Sequence, residues 1–138
     1  MGQAGLHEKI LVWLLRIGGA TTVLAFPTAL LPAAAMSDVH AWLGLGDFPD
    51  QPITGYMARS LSLLYGFHGV LLLVMSTAVR RYRKLIVWVA YLLIGLGPCL
   101  LAVDLHSGMP AMWTWSEGPP LTATGFVVLY LLRSVPEE

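Results

Sequence analysis

Two long apolar runs, about 54–79 and 84–105, are separated only by the basic stretch Arg80-Arg81-Tyr82-Arg83-Lys84. This arrangement limits the fold more than any other feature of the chain. A helix rises 1.5 Å per residue, so about 20 apolar residues match the hydrocarbon core of a bilayer. Both runs meet that length, and the basic stretch is short enough to be a turn between antiparallel neighbours. Two further segments, about 9–31 and 117–133, meet or approach the same length. Backbone in lipid must satisfy its own hydrogen bonds, and the strand-like alternation of a barrel is missing from all four segments. The expected fold is therefore all-α: an integral membrane four-helix bundle forming a single domain over residues 1–138. The composition agrees, because the chain is 12% charged where soluble domains carry about 25%. Its formal net charge of zero implies no nucleic-acid partner.

Orientation follows from the basic residues. The connector between the second and third spans carries four of them, whereas 32–53 carries none and holds Asp38, Asp47 and Asp50. The connector 107–116 has no Lys or Arg either. Lys9 precedes the first span and Arg133 ends the fourth. The positive-inside rule then puts both termini in the cytoplasm and two connectors outside. Ala33-x-Ala35 has the spacing of a signal-peptidase site, but Arg16 interrupts the apolar region and only Lys9 precedes it, so an uncleaved span is expected. In the first outer connector, Ser37 or Asp38 is a candidate N-cap for a short interfacial helix, with Gly44 or Gly46 at its end and Trp42 at headgroup depth. Pro119 and Pro120 fit a first helical turn, where a missing N–H costs little.

Ionisable residues inside a span cost about 2.5–3.5 kcal/mol on insertion scales, so each needs a partner or a use. Arg16, Arg59, His68 and Asp104 qualify. Arg59 lies roughly 33 Å along its helix from Arg81, and Asp104 roughly 30 Å from Lys84. The two are expected at one level beneath the outer interface, with Gly66 and Gly97 on the same faces letting the helices approach. An Arg59–Asp104 ion pair there has a bland reading, mutual neutralisation. It also has a sharper one, a polar outward-facing pocket that gains from His106, Glu117 and Tyr56. His68 lies near mid-membrane on a different seam. Its plain reading is a neutral imidazole bonded to Thr21, Thr22, Thr122, Thr124 or a carbonyl freed near Pro98. Its functional reading draws on Tyr65, three residues away. Arg16 is expected to snorkel to the cytoplasmic headgroups. Asp104-x-His106 does not make a metal site, since two residues span about 200° of a helix and zinc needs further ligands. Bis-histidine haem lacks a second deep histidine. With Cys99 as the one cysteine, a dithiol pair is ruled out. No cofactor is expected and no catalytic residue is assigned.

The stretches Ala58–Val74, "RRYRK" and Ala102–Gly118 resemble small bacterial DoxX-like four-helix membrane proteins. The resemblance covers roughly the last 85 residues. It implies four helices in a bacterial inner membrane. That broad group has been linked to quinone or thiol redox chemistry, but the single cysteine keeps a dithiol mechanism from carrying over. Two functions follow as expectations. One is a non-enzymatic subunit or partner of a larger membrane assembly or homo-oligomer, joined through glycine-bearing faces. The other is a binder or enzyme for a lipophilic ligand such as a quinone, sterol-like lipid or isoprenoid, with His68 and Tyr65 inside and Arg59, Asp104, His106 and Glu117 at the mouth. Transport of protons or small solutes ranks below both, four helices being few for a carrier.

Overall fold

The computed structural model describes residues 3–136, and among these all regular structure is helical. The helices are α1 (Gln3–Val23), α2 (Ala25–Thr28), α3 (Ala33–Trp42), α4 (Pro52–Thr77), α5 (Arg83–Ser107) and α6 (Ala111–Leu132). Among the described residues, three segments are long and apolar enough to cross a membrane: Gly5–Thr28, Pro52–Thr77 and Arg83–Ser107. No more than 22% of any of them is buried within the protein. Trp13, Leu24, Phe67, Trp88 and Leu92 all stand exposed on these helices. In water such a surface would aggregate; in hydrocarbon it costs nothing.

Several boundaries differ from the sequence expectation for local reasons. The first span breaks at Leu24, because the Pro27 ring crowds the carbonyl of Val23 and offers it no N–H. Helix α3 starts at Ala33 behind Pro32, so Ser37 and Asp38 sit inside it and cap nothing. Its end is as expected: Gly44 adopts φ 75°, with Gly44 N bonded to Ala41 O and Leu45 N to His40 O. This pair of bonds is a Schellman motif, which only a residue tolerant of positive φ closes cheaply. Helix α6 starts six residues before the expected position, so Pro119 and Pro120 lie within it. Lacking N–H groups, they leave the carbonyls of Trp115 and Ser116 without their usual partners four residues on.

The chain divides into two compact units. One is Leu15–Val74. In it Gly19 and Gly69 bring α1 and α4 backbone to backbone: a Cβ on Gly19 would stand 2.9 Å from Gly69 O. One turn along α4, Gly66 accommodates the Phe26 ring, which meets Phe67 edge-on at 5.1 Å between centroids. The Thr28 hydroxyl donates to Ser62 Oγ (2.9 Å), and Ser62 in turn donates to Ala58 O.

The other unit holds the chain up to Leu14 together with everything from Met75 onward. Its core includes Leu11, Met75, Ile86, Ala90, Val128 and Leu132. Helices α5 and α6 pack along a stripe of small residues. Ala90, Gly97 and Asp104 recur every seven residues on α5 and are all buried; Gly118 and Gly125 share that spacing on α6. A Cβ on Gly97 would lie 2.5 Å from Gly118 O, and one on Gly125 would lie 2.6 Å from Ala90 O. Contact this close between backbones is available only to the smallest residues. At one end of the unit, Arg83 donates to Val135 O (3.1 Å), just past the end of α6, and to Leu132 O (3.3 Å), which also accepts from Val135 N in the closing turn. There too Arg80 forms a two-pronged ion pair with Glu8, at 2.9 and 3.1 Å.

Candidate functional site

A concave site lies within Leu15–Val74, where α3, the loop after it and the first two turns of α4 border an open cavity of about 430 Å³. Small side chains create it: Ala33, Ala34 and Ser37 on α3 face Gly55 on α4. Phe48 closes one wall and is itself braced, its ring meeting His40 edge-on at 5.4 Å. His40 Nδ1 in turn lies 2.9 Å from Gly46 O, which folds the loop back onto α3.

Arg59 supplies the positive charge. Its Nη2 donates to Leu31 O at 3.1 Å and its Nη1 to Gly55 O at 3.3 Å. Leu31 follows the turns that close α2 and leads into α3, so the guanidinium ties that connector to α4. Gly55 makes the arrangement possible, because a Cβ there would stand 2.9 Å from Nη1. A guanidinium has five N–H donors, and two are spent on carbonyls. Among the described residues Arg59 has no ion-pair partner, and neither does Asp50, which also lines the cavity and is exposed. Backbone carbonyls thus occupy the role the sequence reading gave to a carboxylate.

Asp104 belongs to the other unit. Gly97 does lie over it on one face of α5, as a spacing of seven requires, but Gly97 packs against Gly118 and Thr122 of α6. Gly66 likewise meets Phe26. Each expected glycine face is therefore spent on a neighbour within its own unit. Asp104 is 5% exposed, and its buried Oδ2 has no hydrogen-bond partner among the described residues. Extending the Ala90–Gly125 and Gly97–Gly118 register by seven more residues puts Asp104 level with Ala111, at the start of α6. Glu117 is half-buried and accepts from Trp113 Nε1 at 2.9 Å. His106, two residues beyond Asp104, is exposed.

Among the described residues His68 forms no hydrogen bond. Three of the four threonines expected to hold it are otherwise engaged: Thr21 donates to Ile17 O and Gly18 O, Thr22 to Gly18 O, and Thr122 to Gly118 O. His68 is half-buried, while Tyr65 and Tyr56 are exposed, so Tyr65 does not line an interior with it. Arg16 is exposed, as snorkelling requires. The cavity below α3 was missed from sequence. The signal was there in Ala33, Ala34 and Ser37, small residues one turn apart on a helix facing the charged end of α4.

No family model, curated protein or solved structure matches the chain.

Proposed function

We propose that the chain is a four-span integral membrane protein that holds the polar end of a lipophilic ligand beside Arg59. On this reading α6 is the fourth span, both termini and the Arg80–Lys84 connector are cytoplasmic, and α3 lies in the outer interface. The likeness to DoxX-like proteins and a bacterial inner membrane is part of the same proposal. The observation that carries it is the 430 Å³ cavity with a guanidinium in its lining. That volume lies within the range of about 300–1,000 Å³ typical of small-molecule sites. A cation at the rim of an apolar span suits a ligand with an acidic or strongly accepting head and an apolar tail. Its tail would run along exposed Tyr56 and Met57 into the bilayer.

The test is mass spectrometry of the protein purified in mild detergent, comparing wild type with Arg59→Gln. Wild type should retain a lipophilic small molecule that the variant loses. Equal retention by both would reject the reading. Single cysteines in a Cys99→Ser background, placed at Asp47 and at Arg81, test the topology. The first should react with an impermeant maleimide from outside the cell and the second only after lysis. The reverse pattern would overturn it.

Association into a homo-oligomer or with another membrane protein is the second reading, favoured by the exposed apolar side chains of Met112 and Trp115 at the start of α6. It no longer draws on Gly19, Gly66, Gly69, Gly97, Gly118 or Gly125, whose open faces are filled within the chain. Cross-linking in the native membrane should trap a discrete dimer or a partner of fixed mass. A monomer at every cross-linker concentration would remove this reading.

A further inference from the structure

The cavity beside Arg59 contains charges of both signs. Arg59 and Asp50 line the same 430 Å³ space, and no ion pair joins them. Two opposite charges in one small site ordinarily collapse onto each other unless something holds them apart. Here the restraint is visible. Arg59 is pinned at both Nη atoms by Leu31 O and Gly55 O, on either side of its guanidinium. Asp50 sits in the loop between Phe48 and the first residue of α4, Pro52, with Pro49 on its other side. Proline restricts the residue before it and fixes its own φ, so Pro49 and Pro52 narrow the conformations open to this stretch. The result is a guanidinium held in place and a carboxylate on a proline-bounded loop, both bordering a cavity far larger than the roughly 30 Å³ that one water occupies.

We propose that this cavity binds the zwitterionic headgroup of an amino-phospholipid, its phosphodiester on Arg59 and its primary ammonium on Asp50. This rests on the ligand-binding reading above and names the ligand's chemical class. Three N–H donors left over on Arg59 suit the non-bridging oxygens of a phosphodiester, which guanidinium recognises with matched geometry. The first turn of α4 borders the same space through Pro52 and Gly55, and the positive end of its dipole favours the phosphate over a neutral head. Asp50, an acceptor, rewards an ammonium with hydrogens to donate over a quaternary one with none. An anionic headgroup with no ammonium would leave Asp50 facing added negative charge. Ser37 supplies a hydroxyl that can either donate or accept, and Phe48 with Ala33 supplies apolar wall for the glycerol end. Site and headgroup then match pole for pole, each being neutral overall.

The experiment starts from the full chain, delipidated in detergent and checked for native helicity. Vesicles or nanodiscs of phosphatidylethanolamine, phosphatidylglycerol or phosphatidylcholine are the probes, and native mass spectrometry counts retained lipid. Soluble phosphorylethanolamine and inorganic phosphate form separate arms, to distinguish a lipid from a free phosphate compound. Wild type should retain one phosphatidylethanolamine with at least tenfold preference over either other lipid, and free phosphate should not displace it. Asp50→Asn changes an exposed side chain that makes no bond among the described residues, so its fold should be intact. It should lose the preference over phosphatidylglycerol. Gly55→Ala crowds only the flexible end of Arg59 and should weaken retention of every phospholipid. Equal retention of the three lipids by wild type, or an unchanged preference in Asp50→Asn, would overturn the proposal. Retention of a different amphiphile, lost in Arg59→Gln, would sink the headgroup assignment and leave the ligand-binding reading standing. Retention of no amphiphile at all would end both.

Discussion

Gly97→Ala is the sharpest probe of how this chain packs. The added methyl would overlap Thr122 Oγ1 and stand 2.5 Å from Gly118 O. Thr122 can rotate, but a backbone carbonyl cannot. Ordinary contact needs about 3.5 Å, so α5 and α6 must part by roughly 1 Å at this level. A gap of that size forfeits about a quarter to a half of the dispersion energy of the atoms that face it. Overpacking typically costs 1–3 kcal/mol, and a clash with no rotameric escape belongs at the top of that range, about 3 kcal/mol. Gly95→Ala is the matched control. It lies two residues away on the same helix, with nothing within 4 Å of its Cβ position. Relief of glycine's backbone entropy should leave it neutral or more stable by up to about 1 kcal/mol. The assay is equilibrium unfolding by SDS in mixed micelles, followed by circular dichroism. Gly118→Ala should resemble Gly97→Ala, and the double variant should cost less than the sum, because helices parted once already admit the second methyl. Equal stability of Gly97→Ala and Gly95→Ala would refute the seam.

Asp104→Asn should be neutral or stabilising in the same assay, since it removes a buried carboxyl group whose Oδ2 has no partner among the described residues; a loss above about 1 kcal/mol would reveal a partner of consequence. Arg83→Gln should cost about 1.5–3 kcal/mol, the scale of hydrogen bonds from a charged donor, and should speed amide exchange around Leu132 to Val135. Unchanged exchange there would deny Arg83 its capping role. Glu8→Gln should cost under about 1 kcal/mol despite its two-pronged geometry with Arg80, because both side chains meet solvent. A larger loss would mean this pair is better shielded than its exposure indicates.

The spans were legible because their signal is length and continuous apolarity, which no tertiary context overrides. Helices α4 and α5 begin and end within two residues of the expected boundaries. The start of α6 was not, because Met112, Trp113, Trp115 and two prolines do not announce a helix; the α5–α6 seam extends it back past Pro119. Periodicity placed Gly97 and Asp104 on one face of α5 correctly. It could not say which neighbour that face meets, since four apolar helices present several equally plausible partners. Arg59 was singled out for its charge, yet its acceptors are main-chain carbonyls of Leu31 and Gly55. Every residue carries a carbonyl, so no side-chain pattern betrays which one will serve.

The Gly19–Gly69 and Gly97–Gly118 crossings also reverse the familiar map of mutational tolerance. In a water-soluble domain the bulky apolar side chains are the irreplaceable ones and surface positions drift freely. Here Trp88, Leu92 or Phe67 should exchange among hydrophobic residues with little consequence, while one extra carbon at a crossing separates two helices. A sequence comparison scored by hydrophobic identity would weight the wrong columns; the constraint is carried by what is smallest.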